Sequence, residues 1–86
     1  MATLEDEFKT YAEKVKGLKT QPSNSDLLKL YGLYKQATVG DNNTDRPGLL
    51  DPKGRGKWDS WNERKGMSIG EAMKQYVDFV KKLLTQ

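Results

Sequence analysis

The chain predicts an all-α fold, a single four-helix bundle with a long crossover loop between the second and third helices. Three observations carry that expectation. Apolar residues recur at helical spacing in separate stretches, residues able to cap a helix N-terminus precede the expected helices, and the long segment without a period is a polar run from Asp41 to Leu50. No stretch shows the strand alternation, and no internal repeat or low-complexity tract is present. Eighty-six residues make one domain, 1–86, with a modest core and a shallow groove rather than two lobes closing on a cleft.

The first helix is expected from Leu4, Phe8, Tyr11, Val15 and Leu18, whose spacings of four, three, four and three describe one buried face. Thr3 can cap it, and Glu5, Asp6 and Glu7 occupy the first turn, where the macrodipole favours anions. Gly17 weakens its end and Gln21-Pro22 marks the turn. Ser23 or Ser25 caps a second helix carrying Leu27, Leu30, Leu33, Tyr34 and Ala37, which stops at Val39-Gly40. The following run, rich in Asn, Asp, Pro and Gly, is long enough to span the bundle, so helices two and three need not be antiparallel neighbours. Asp51-Pro52 fits a cap with proline in the first turn of a third helix that ends near Lys65-Gly66, although Gly54 and Gly56 each cost about 1 kcal/mol relative to alanine. Ser68 and Glu71 read as a capping box, with Met67 and Ala72 at staple spacing. Ala72, Met73, Tyr76, Val77, Val80, Leu83 and Leu84 form the apolar face of a fourth helix.

Composition narrows the chemistry. Neither cysteine nor histidine is present, which removes disulfides, a thiol nucleophile, and the commonest general base and zinc ligand, so no enzyme and no catalytic residue is expected. Asp41, Asp45 and Asp51 match no calcium-loop spacing, and no metal is expected. The chain shows no apolar run of membrane-spanning length and no signal-peptide pattern, so no integral membrane association is expected and the expected location is cytoplasmic. Asn42-Asn43-Thr44 matches a glycosylation sequon, to which the absent secretory signal leaves no weight. The net charge of +3 is uneven: Lys53, Arg55, Lys57, Arg64 and Lys65 stand against Asp59 and Glu63, while the rest of the chain cancels. A nucleic-acid binder would carry a broader basic footprint, so nucleic acid is not an expected partner; the local surplus suits a few phosphates on a small ligand.

One stripe concentrates the candidate binding chemistry. At 100° per residue, Leu28, Tyr31 and Lys35 fall within about 60° of one another, with Leu27 and Tyr34 beside them. Taken alone these are ordinary boundary residues, since tyrosine often buries its ring and leaves its hydroxyl wet. The third helix adds a second source of cations, because Lys53 and Lys57 stand four apart and share a face. Ammonium groups, phenolic hydroxyls and an aromatic surface together suit a phosphate attached to a purine. Trp58 and Trp61 are assigned mainly to structure, as anchors of the core.

The run Tyr31-x-x-Tyr34-Lys35-Gln36-Ala37-Thr38-Val39-Gly40-Asp41-x-Asn43-x-x-Arg46-Pro47-Gly48, followed by Lys57-Trp58-Asp59-x-Trp61-Asn62 and Lys65-Gly66-Met67-Ser68, closely resembles the acyl-coenzyme A binding proteins. The resemblance covers nearly the whole chain. It implies an up-down-down-up bundle and a carrier of medium- to long-chain acyl-coenzyme A thioesters, with that ligand and no other cofactor. It implies that Tyr31, Lys35 and Lys57 contact the ribose 3′-phosphate, that Tyr34 packs against adenine, and that Lys16, Lys53 and Tyr76 line the site. The acyl chain is then expected in a groove of helices two and three near Leu27, Leu28 and residue 56, with Gly32 and Leu33 also counted among the ligand-binding residues. Pro52 stands where the family commonly has phenylalanine, Gly56 and Ser60 where it has alanine, and Arg64 where it has leucine. The implied partners are the acyl-coenzyme A ligand and the enzymes that use it, and the simplest state is a monomer. A small helical module that binds other proteins is the alternative, and it leaves the lysines near tyrosines without a role.

Overall fold

The structure, a computed structural model, describes residues 3–85, and they are helical without a strand. Four α-helices follow in order: α1 (Leu4–Lys14), α2 (Asn24–Thr38), α3 (Pro52–Asn62) and α4 (Ile69–Leu84), with a short 3₁₀ turn, Val15–Gly17, continuing α1. Each α-helix starts where a short polar side chain takes up a free backbone N–H. Thr3 accepts from the Asp6 N–H, Ser23 from Asp26, Asp51 from Gly54 and Ser68 from Glu71. Ser23, not Ser25, is therefore the cap of α2.

Two expected details differ. The box at Ser68 is half formed, because the Glu71 carboxylate accepts from the Gln75 amide one turn on; a full box stands at Thr3 instead, where the Asp6 carboxylate returns to the Thr3 N–H. The first helix tightens into 3₁₀ geometry after Lys14 as it approaches Gly17, and α3 stops at Asn62 rather than Lys65-Gly66. Beyond Asn62 the chain continues in tight turns, Arg64 N–H to the Trp61 carbonyl and Lys65 N–H to the Asn62 carbonyl, up to Gly66, which sits at φ +92 and donates its N–H to the Asp41 carboxylate at 2.8 Å.

Contacts along the helices reveal their directions. Leu28 lies beside Gly56, Gly32 beside Ser60, and Lys35 over Trp61, so α2 and α3 advance together and run parallel. α4 runs against them, since Gln36 at the end of α2 donates to the Met67 carbonyl just before α4, while Asp26 near its start shares a depression with Leu83 and Leu84. α1 runs with α4, because Leu4 adjoins Met73 and Tyr11 carries the Lys81 ammonium over its ring. The bundle is up-down-down-up, as the resemblance implied. α4 packs between α1 and α2, and α2 between α4 and α3, giving a slab of 43 × 29 × 15 Å.

The core belongs to the first, second and fourth helices: Phe8 from α1, Leu30, Leu33 and Ala37 from α2, and Ala72, Tyr76, Val77, Val80 and Leu83 from α4. The long helix α4 has the cleanest apolar stripe and supplies the most of it. α3 attaches differently. Its buried residues are Ser60 and Trp61, and its seam with α2 is tight enough to require glycine at 32, where an added Cβ would stand 2.6 Å from the Ser60 carbonyl oxygen. The Ser60 hydroxyl donates across that seam to the Leu28 carbonyl, and Arg64 donates at 2.6 Å to the Ser60 carbonyl.

The crossover is pinned to α3 by directional bonds. The Trp61 indole donates to the Gly40 carbonyl at 2.7 Å and the Trp58 indole to the Thr44 carbonyl at 2.9 Å. Arg46 makes a two-pronged pair with Asp59, at 2.9 and 2.8 Å, and Arg55 donates to the Pro47 carbonyl at 2.9 Å. Asn42, the sequon residue, is itself buried, with its side chain engaged by Thr44 and the Trp58 carbonyl.

Candidate ligand-binding site

Parallel packing of α2 on α3, with the crossover laid along one side, leaves a cleft of about 370 Å³ lined by Tyr31 and Lys35 of α2, Lys57 and both tryptophans of α3, and Thr44, Asp45 and Pro47 of the crossover. Tyr31, Lys35 and Lys57 thus converge, although 22 positions separate Lys35 from Lys57 in the chain. The Lys35 ammonium lies 4.8 Å from the centre of the Trp61 ring and that of Lys57 lies 5.4 Å from the Tyr31 ring. Among the described residues, neither is ion-paired with a carboxylate. A cation resting on an aromatic face is held weakly, by roughly 0.5–1 kcal/mol where exposed, so both remain free to turn toward an anion. Asp45 on the same cleft opposes an anion placed close to it.

The remaining candidates distribute around this cleft. Lys53 is exposed one turn before Lys57 but does not line it. Tyr34 keeps 42% exposure and closes a triangle of rings with Phe8 at 5.6 Å and Tyr76 at 6.0 Å, themselves 5.1 Å apart, so one side of its ring packs on α1 and α4 while the rest stays open to a ligand. Tyr76 is buried in that aromatic cluster, and burial, with the Tyr34 phenol beside it, pushes its own phenol upward. Lys16 lies beyond α1, exposed and paired with Glu13 at 3.3 Å, outside the cleft. Leu28 lines a second groove of about 450 Å³ on the other side of the α2–α3 seam, together with Gly56, Lys29, Asp59 and Arg64. Leu27 keeps 39% exposure on α2.

Two further expected ligand residues do not line the cleft. Leu33 has no exposed surface and sits in the core, and Gly32 is closed off by Ser60. The reason is rotational: both neighbour the Tyr31–Tyr34–Lys35 stripe in sequence, but at 100° per residue adjacent positions point to different faces. Conversely, Trp58 and Trp61, assigned mainly to structure, also form the cleft wall, and Thr44, Asp45 and Pro47 were not anticipated. The sequence signal for the tryptophans was their spacing from Lys57, since Trp61 follows it by one helical turn.

A shallow cationic and aromatic cleft on an all-helical slab defines a small binding protein with room for an anionic ligand. The family described as Acyl CoA binding protein matches residues 5–80. The chain is 53% identical over 79 residues to acyl-CoA-binding protein homolog 1 of Caenorhabditis elegans, covering 92% of each protein. It is 56% identical over 81 residues to the acyl-CoA-binding protein of Brassica napus, covering 94% of this chain and 88% of that one. Its structure superposes on the crystal structure of Oryza sativa Acyl-CoA-Binding Protein 2 with a TM-score of 0.92 at 52% identity, covering 95% of this chain and 89% of that one. The chain belongs to the acyl-CoA-binding protein family.

Proposed function

We propose that this protein is a carrier of medium- to long-chain acyl-coenzyme A thioesters, holding them in solution for the enzymes that consume them and performing no chemistry of its own. The observation that carries the reading is the convergence of Tyr31, Lys35 and Lys57, from two helices, on one cleft with both ammonium groups unpaired. In this reading the two lysines and the Tyr31 hydroxyl hold the ribose 3′-phosphate, and the exposed face of Tyr34 receives adenine. Lys53 adds charge at the margin. Lys16 would have to leave Glu13 to take part, and Tyr76 acts by backing Tyr34. The acyl chain lies along α2 and α3 over Leu27 and Leu28. Family membership supports the ligand class, and the absence of histidine and cysteine agrees with a role without catalysis.

Magnitudes divide the labour. A charge-assisted hydrogen bond contributes about 1.5–3 kcal/mol, so the phosphate clamp discriminates a coenzyme A thioester from a free fatty acid. Each buried methylene contributes about 0.8 kcal/mol, so a long tail supplies most of the affinity before the cost of immobilising it. Calorimetric titration with thioesters of increasing chain length tests the scheme. Affinity is expected to rise with each added pair of methylenes until the groove is filled, and affinity independent of length would show that the tail stays in water. The proposed setting is the cytoplasm, and the proposed working state a monomer.

A further inference from the structure

The crossover ends in a turn closed by the Asp51 N–H on the Gly48 carbonyl, and its two central residues are Leu49 and Leu50. Such positions ordinarily hold Gly, Pro, Asn, Asp or Ser. Here two leucines stand 80% and 100% exposed, the two most exposed large apolar residues among those described. They are held out rather than left loose. On one side Arg46 is clamped to Asp59 and the Pro47 carbonyl to Arg55; on the other Asp51 caps α3. A leucine pair fixed in water has no compensation within the monomer.

Charge indicates what covers the pair. The segment 46–59 carries Arg46, Lys53, Arg55 and Lys57 against Asp51 and Asp59, and with Arg46 neutralised by Asp59 its surplus of two rests on the side chains around the start of α3. The side chains with directional forks, Arg46 and Arg55, are already engaged inside the loop, while Lys53 projects from the first turn of α3 as a point charge. A convex apolar tip beside undirected cations suits a deformable anionic surface better than a shaped protein pocket. We propose that Leu49 and Leu50 form a wedge by which the protein makes weak, reversible contact with anionic lipid surfaces. Pro47 and Lys57 border the cleft, so docking by this tip brings the cleft mouth to the lipid. Two leucines and a few cations fall short of stable anchoring, which leaves the protein free to depart.

Flotation of the ligand-free chain with vesicles tests this independently of the carrier reading, since no acyl-coenzyme A is present. Binding is expected to vesicles containing phosphatidylserine, to weaken as ionic strength rises, and to be much lower on pure phosphatidylcholine. The double variant Leu49→Ser/Leu50→Ser should lower binding to anionic vesicles by roughly tenfold or more. Its thermal unfolding should match the wild type, because surface this exposed contributes little to the fold. Wild-type protein that ignores anionic vesicles, or equal flotation of wild type and double variant, would overturn the proposal. So would a concentration-dependent dimer abolished by the double variant, which would assign the tip to a second copy of the chain.

Discussion

Replacing Gly32 and Gly56 separately by alanine makes one chemical change on two adjoining helices with opposite expected outcomes. At Gly32 the new Cβ would stand 2.5 Å from the Ser60 hydroxyl oxygen, 2.6 Å from its carbonyl oxygen and 2.8 Å from its carbonyl carbon. Two of these atoms are backbone, so no rotamer change relieves the contact and the α2–α3 seam must open. Overpacking of this kind costs about 1–3 kcal/mol, against which alanine recovers up to about 1 kcal/mol of helix propensity. The net expectation is a loss of about 1–2 kcal/mol. At Gly56 the Cβ would meet Leu28 Cδ2 at 3.5 Å, an ordinary contact, so the propensity gain of about 0.4–1 kcal/mol survives. For a domain of this size about 1 kcal/mol moves the midpoint by about 4–8 °C. Thermal and urea unfolding followed by helical circular dichroism should therefore place Gly32→Ala well below the wild type and Gly56→Ala at or above it. Because the cleft straddles the same seam, Gly32→Ala should also weaken ligand binding under conditions where it remains folded. A Gly32→Ala variant as stable as the wild type would refute the close packing of these two helices.

Further expectations concern the ligand clamp and alkaline stability. Lys35→Ala or Lys57→Ala should weaken acyl-coenzyme A binding by roughly tenfold to a hundredfold, the equivalent of one charge-assisted hydrogen bond. Calorimetry with the thioester lacking the 3′-phosphate should show a far smaller loss, and equal losses for both ligands would take the lysine off the phosphate. Tyr76 governs an alkaline effect. Its folded phenol titrates above the ordinary value of 10.0, chiefly because it is desolvated and secondarily because of Tyr34. The unfolded chain therefore releases this proton first as pH rises, so the contribution is complete below about pH 10 and declines above it. Denaturant midpoints measured across that range should fall less steeply for Tyr76→Phe, and parallel curves would remove Tyr76 as the cause.

What was legible beforehand follows from the range of each interaction. Helix starts depend on side chains three residues from the N–H they satisfy, so Thr3, Asp51 and Ser68 could be read locally and the cap of α2 narrowed to Ser23 or Ser25, of which the structure selects Ser23. Helix ends were less legible. α3 gives way to tight turns after Asn62, and the turn they lead into is held by the Gly66 N–H on Asp41, 25 positions earlier, a partner of which local pattern carries no trace.

The same division holds for the site. Residue order by itself determined the helical class, the residue types available to an anion and, through the long motif from Tyr31 to Gly48, the family. Helical periodicity could group Tyr31 with Lys35, because that relation is a property of one helix. Only tertiary packing decided that Lys57 faces them, that Leu33 turns into the core and Gly32 against Ser60, and that Trp61 lies under the Lys35 ammonium. Periodicity establishes which side chains share a face but not what that face meets. That choice falls to the α2–α3 seam, where close backbone approach and the indole bonds to the crossover set one helix against the other.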